Sequence, residues 1–128
     1  MNRAGQLWLE LPPQSAQAPR RLLVFLHGAG SSAEAFAPIA LAWQLKFPGA
    51  TAAILEALRD GSAHHGKDWF DARGVSADRQ PRIEGACAVV AQRLEALQLA
   101  TGIEGARTVV IGFSQGATVA LELARSHA

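Results

Sequence analysis

Val109-Val110-Ile111-Gly112-Phe113-Ser114-Gln115-Gly116-Ala117, VVIGFSQGA in one-letter form, reads as a strand running into a sharp turn with a serine at its tip. Within it, Gly112 to Gly116 satisfies G-x-S-x-G with a strand before and a helix after, the setting of a nucleophile elbow. The backbone at such a serine is strained so that the hydroxyl projects above the sheet. A side chain two residues before or after it would collide with the neighbouring strand or helix, so both places require glycine. The helix start beneath the serine adds unpaired backbone N–H groups, which stabilise an oxyanion. A purely structural turn is the alternative reading of the same residues.

Outward from this turn, the chain alternates between strand and helix signals. Arg107 to Phe113 is the strand that feeds the turn, and Ala117 to Arg125 the helix that leaves it. Leu22 to Leu26 (LLVFL) is a continuous apolar run, the pattern of a strand buried on both faces. A loop, His27-Gly28-Ala29-Gly30, follows it. Ser31 to Glu34 fits a capping box, and Phe36, Ile39, Trp43 and Phe47 recur at helical steps as far as Pro48-Gly49. Leu7–Leu11 and Thr51–Leu55 are further strand candidates. From Arg59 to Pro81 the sequence is polar and glycine-rich around Trp69-Phe70, a long loop of the kind that is usually functional or mobile. A helix with the stripe Ile83, Cys87, Val90, Leu94 and Leu97 begins near Arg82 and ends at Gly102. This order predicts one α/β domain over residues 1–128, with a mostly parallel sheet flanked by helices.

Composition narrows the classes of function. With 49% apolar and 18% charged residues the chain has the makings of a packed core. Its net charge is +1 with the basic residues scattered, so neither nucleic acid nor an anionic membrane is expected as a partner. One cysteine, Cys87, forms no internal disulfide and has no metal-ligand spacing around it. No metal and no cofactor are expected. Without a signal-peptide pattern or an apolar run of membrane-spanning length, a cytoplasmic location is the expectation.

LLVFLHGAG (22–30), KDWFD (67–71) and TVVIGFSQGATVALELA (108–124) stand in the order found in the phospholipase/carboxylesterase family, the acyl-protein thioesterase-like serine esterases, which this chain resembles from about Arg21 onward. The resemblance implies an α/β-hydrolase fold, a serine nucleophile at Ser114, and oxyanion donors at the backbone N–H groups of Ala29 and Gln115. It implies a scaffolding role for His27. It also suggests that Trp69 lines the substrate pocket, against the plainer reading of Trp69-Phe70 as an aromatic plug that anchors the long loop.

What the residues do not offer is a base. The triad order in α/β-hydrolases is Ser, then Asp or Glu, then His. After Ser114 come only Glu122 and His127, both on the helix leaving the turn. His127 would lie roughly 20 Å along that helix, whereas a general base works within about 3 Å of its proton. His64 and His65, like Asp60, Asp68, Asp71 and Asp78, read as solvated loop residues. The expectation is therefore that the chain is the N-terminal portion of a larger enzyme, with the triad Asp and His beyond Ala128.

The reading that follows is a serine carboxylesterase or thioesterase acting on a small-molecule ester through an acyl-serine, with little turnover from these 128 residues in isolation. A second reading is an inactive fragment that binds or self-associates through the exposed edge of its sheet. A third is an enzyme resembling the dienelactone hydrolases, which generally carry cysteine at the elbow where this chain has serine.

Overall fold

The computed structural model describes residues 8–14, 20–57, 59–60, 66–71 and 78–126, with the side chain of residue 60 left out. The elements in chain order are β1 (Trp8–Leu11), β2 (Arg21–Leu26), α1 (Ala33–Lys46), β3 (Ala50–Leu55), β4 (Arg59–Asp60), β5 (Lys67–Asp68), α2 (Arg79–Thr101), β6 (Thr108–Gly112) and α3 (Gln115–Ser126). The main sheet has the order β1-β3-β2-β6. β2 runs parallel to both β3 and β6, and β1 is antiparallel at the edge.

The continuous apolar run of β2 is explained by helices on both faces. Leu22, Val24 and Leu26 join Ile83, Val90, Leu97, Val119 and Leu123 of α2 and α3 on one side. Leu23 and Phe25 join Phe36 and Ala40 of α1 on the other. Burial on that scale, at about 1.5–3 kcal/mol per large apolar side chain, is the main force holding the helices to the sheet.

Helix α1 departs from its expected face and cap. Its buried positions are Ala33, Phe36, Ala40 and Gln44, while Ile39, Trp43 and Phe47 are 46%, 37% and 37% exposed. The rotation is tied to Gln44, whose side-chain amide donates to the carbonyls of Leu11, Pro12 and Ala50 and so ties the helix to the ends of β1 and β3. Apolar spacing could not reveal a polar residue at the centre of the buried face. The N-cap is Ser32, whose hydroxyl accepts from the Ala35 N–H at 3.1 Å. Ser31 instead bridges to Lys67, and the Ala33 N–H is taken by the Glu56 carboxylate, so the expected Ser31–Glu34 box is not formed.

Helix α2 starts at Arg79, earlier than the Arg82 read from the sequence, because Pro81 in the first turn gives up no intrahelical hydrogen bond. It ends as expected at Gly102, which takes the left-handed conformation with φ 71°. The segment read as one long loop holds a short antiparallel pairing, Arg59 with Asp68 and Asp60 with Lys67.

Two features of the sheet set up the site. β2 and β6 are adjacent, parallel and in register from Leu22↔Thr108 to Leu26↔Gly112, so the loop after β2 and the turn after β6 emerge side by side. Among the described strands, β6 has a neighbour on one side only, and Val109 and Phe113 are 44% and 64% exposed. Beside it an open depression of about 400 Å³ between α2, α3 and β6 is lined by Leu94, Val110, Ala120 and Leu123, among others.

Candidate active site

Ser114 sits in the turn between β6 and α3 with φ 55°, the one non-glycine residue with positive φ among the described residues. A side chain in that region costs roughly 1–2 kcal/mol, which the packing on either side must impose. That packing is visible at the two glycines. A Cβ on Gly112 would stand 2.5 Å from the Gly116 carbonyl oxygen, and one on Gly116 would stand 2.2 Å from that of Leu26. Helix α3 thus starts in backbone contact with the ends of β6 and β2. No side chain fits, as the G-x-S-x-G spacing requires.

The loop after β2 is fixed from below. The Gly30 N–H is shared between the Lys67 carbonyl at 2.9 Å and the Asp68 carboxylate at 2.8 Å. Ser31 accepts from the Lys67 N–H at 2.8 Å. Gly66, at φ 72°, lies so close that a Cβ there would stand 2.2 Å from the Gly30 oxygen. Asp68, expected as a solvated loop carboxylate, is 5% exposed and supports this loop. Asp71 pairs with Arg59 at 3.8 Å.

His27 is fully buried, with both ring nitrogens engaged. Nδ1–H donates to the Gly28 carbonyl at 2.7 Å, and Nε2 accepts from the Ala57 N–H at 3.1 Å. That arrangement defines the neutral tautomer. Burial holds the imidazole pKa below its ordinary value, an effect partly offset by the Gly28 carbonyl and the charges of Glu56 and Asp68. Neither nitrogen is free to take a proton from Ser114.

Gln115 has two functions the sequence did not separate. Its backbone N–H opens α3 beside Ser114. Its side chain is 8% exposed; the oxygen accepts from Trp69 N–H at 2.6 Å and the nitrogen donates to the Phe70 carbonyl at 2.9 Å. The amide side chain acts as a strand would, fastening the Trp69-Phe70 backbone to the start of α3. Trp69 itself is 7% exposed, with its ring against His27 (centroids 5.3 Å) and its indole N–H on the His27 carbonyl at 2.8 Å. This is the geometry of the plug.

Ala29, Ser114 and Gln115 meet in one open depression of about 360 Å³, which Phe70, Arg79 and Thr118 complete. Phe70, rather than Trp69, is the aromatic residue lining it. Arg79 and Thr118 were not singled out in the sequence; Arg79 falls in the segment read as a loop, and Thr118 near the start of the helix read from Ala117. Neither the Ala29 nor the Gln115 N–H donates to another described residue. Glu122 is directed elsewhere, to Arg125 and Gln80. His64, His65 and His127 lie outside the described residues.

The site can now be set beside known proteins. The sequence profile of the family described as Phospholipase/Carboxylesterase matches residues 13–128. Esterase YpfH of Escherichia coli strain K12 is 30% identical over 111 residues, covering 85% of this chain and 48% of its own length. The crystal structure of esterase PE8 superposes with a TM-score of 0.82 at 31% identity, over 90% of this chain and 55% of that one. A carboxylesterase from Mesorhizobium loti shares the fold, with a TM-score of 0.69 at 24% identity over 84% of this chain and 49% of that one. This chain thus spans about half the length of the relatives it matches. With a mostly parallel sheet between helices and a profile match over nearly its whole length, it belongs to the phospholipase/carboxylesterase family of the α/β-hydrolase fold.

Proposed function

We propose that this chain carries the nucleophile half of a serine esterase. The observation that bears most weight is the left-handed backbone of Ser114 at a strand–helix turn, in one depression with Ala29 and Gln115. Ser114 Oγ adds to the carbonyl of an ester or thioester while its proton passes to an imidazole base. The Ala29 and Gln115 N–H groups hold the oxyanion. Its collapse expels the alcohol or thiol, which takes the proton back, and water then releases the acyl group from the serine.

The base and its carboxylate partner belong, in this proposal, to polypeptide outside these 128 residues. What supports this is His27, the one histidine among the described residues, whose two nitrogens are committed to Gly28 and Ala57. The 128 residues form a single incomplete domain, and Trp69 serves the site by anchoring the Phe70 segment to His27 and Gln115. A cytoplasmic setting is part of the same reading; the Cys87 thiol is buried and its pKa is raised by that burial, so it is not a competing nucleophile.

The second reading, self-association, is favoured by the edge of β6, which has no partner on one side among the described strands, with Val109 on it and Phe113 just beyond it exposed. The experiment for the first is hydrolysis of short aryl esters and acyl thioesters by the protein of the full reading frame and its Ser114→Ala variant. The variant is expected to lose about 10⁴-fold or more in kcat. A variant that keeps the rate would refute the proposal.

A further inference from the structure

Arg79 is the one charged side chain among the described residues lining the Ser114 depression. Its guanidinium carbon lies 5.6 Å over the centroid of the Phe70 ring. Phe70 is 3% exposed, and its backbone is held by Gln115, so the cation rests on a fixed platform beside the nucleophile. Asp78, the N-cap residue of α2, makes no side-chain cap hydrogen bond and no ion pair with Arg79, and the other nearby carboxylates serve other groups. Asp71 pairs with Arg59, Asp68 accepts from Gly30 N–H, and Glu84 and Glu122 lie against Arg125. Among the described residues no carboxylate pairs with Arg79.

We infer that Arg79 selects substrates that carry an anionic group, a carboxylate or a phosphoryl group, close to the ester bond that Ser114 attacks. The inference rests on the serine-esterase reading and adds a substrate class to it. A guanidinium presents a planar fork of N–H donors that matches a carboxylate or phosphoryl oxygen pair. The other described lining residues, Ala29, Phe70, Ser114, Gln115 and Thr118, are neutral, so among the described residues Arg79 is the one that offers an anionic substrate a charge contact there. A cation at the same place could instead favour the oxyanion of every substrate equally, and the two roles separate experimentally.

The test compares three aryl esters of similar acyl length in the full reading-frame protein: the neutral pentanoate, the hemiglutarate and the 4-phosphonobutanoate. In Arg79→Gln the preference in kcat/KM for each anionic ester over the pentanoate is expected to fall about 10-fold. Raising the salt to roughly 0.5 M shrinks the same preference in the parent protein, because the guanidinium is exposed. Arg79→Lys restores more of the preference for the phosphonate than for the carboxylate, which loses its bidentate partner. A fall confined to one anionic ester identifies that group as the one Arg79 reads. Arg20→Gln, at the opposite end of the sheet, leaves all three esters unchanged. An equal loss on all three esters in Arg79→Gln, or an unaltered preference, would overturn the inference while Ser114→Ala remains inactive. A Ser114→Ala protein that hydrolyses all three would instead remove the serine reading and this inference with it.

Discussion

The side-chain oxygen of Gln115 accepts the Trp69 backbone N–H at 2.6 Å, joining the first residue of α3 to a segment 46 positions earlier in the chain. The glutamine nitrogen completes the link at the Phe70 carbonyl. One amide therefore holds the floor of the depression, and the backbone N–H of the same residue is the one proposed to hold the oxyanion. Gln115→Ala leaves the Trp69 N–H and Phe70 carbonyl buried without partners and is expected to cost about 2–3 kcal/mol in chemical denaturation. Gln115→Glu keeps the acceptor but loses the donor to Phe70, and should also destabilise. A Gln115→Ala protein as stable as its parent would show that the segment is held by other contacts.

The turn itself stores strain. Ser114→Gly removes a Cβ from a left-handed residue and is expected to be more stable than Ser114→Ala by about 1 kcal/mol, although both lack the hydroxyl. Gly116→Ala drives a methyl group onto the Leu26 carbonyl and should cost at least about 3 kcal/mol or prevent folding. Thermal melts of the three variants check both statements. Equal stability of the glycine and alanine variants at 114 would mean that the turn is relaxed.

These relationships also mark what could be read from the sequence. The tight strand-to-helix turn around Ser114, the buried strand Leu22–Leu26 and the capping Gly102 were legible because each follows from local chemistry: glycine where no Cβ fits, apolar residues where both faces are covered. The face of α1 was not, because the buried Gln44 donates from its amide nitrogen to the ends of β1 and β3, and apolar periodicity carries no record of hydrogen bonds made at a distance. Asp68 and Arg79 were missed for a related reason. Both lie in or beside a segment whose irregular composition resembles a solvated loop, and only the fold reveals that it passes beneath Gly30 and Ser114.

His27 makes folding depend on pH. Its folded pKa lies below the ordinary value of 6.5, so between the two the unfolded chain binds a proton that the folded chain does not. Its contribution is complete above the unfolded pKa and diminishes as pH falls below it. Stability is expected to decline from about pH 6.5 downward, less steeply in His27→Gln. The imidazole ¹⁵N resonances give a second readout in the parent protein. They should show a protonated Nδ1 and a bare Nε2 at neutral pH, and a charged ring at pH 7 would contradict the assignment.

The edge of β6 is expected to drive association of the 128-residue chain on its own. Sedimentation should show mass increasing with concentration, and Val109→Lys, on the exposed strand, should reduce it. A chain that stays monomeric at high concentration would mean that the edge is protected.

The most direct measurement is the rate at which a fluorophosphonate labels Ser114, followed by mass spectrometry of the intact protein and its peptides. The protein of the full reading frame is expected to label at Ser114 within minutes, and residues 1–128 alone to react slower by about 10³-fold or more, since on the proposed mechanism the base lies outside them and, among the described residues, the one histidine is committed to Gly28 and Ala57. Equally fast labelling of the 128-residue chain would place a working base inside it, and absence of labelling in the longer protein would show that Ser114 is not the nucleophile.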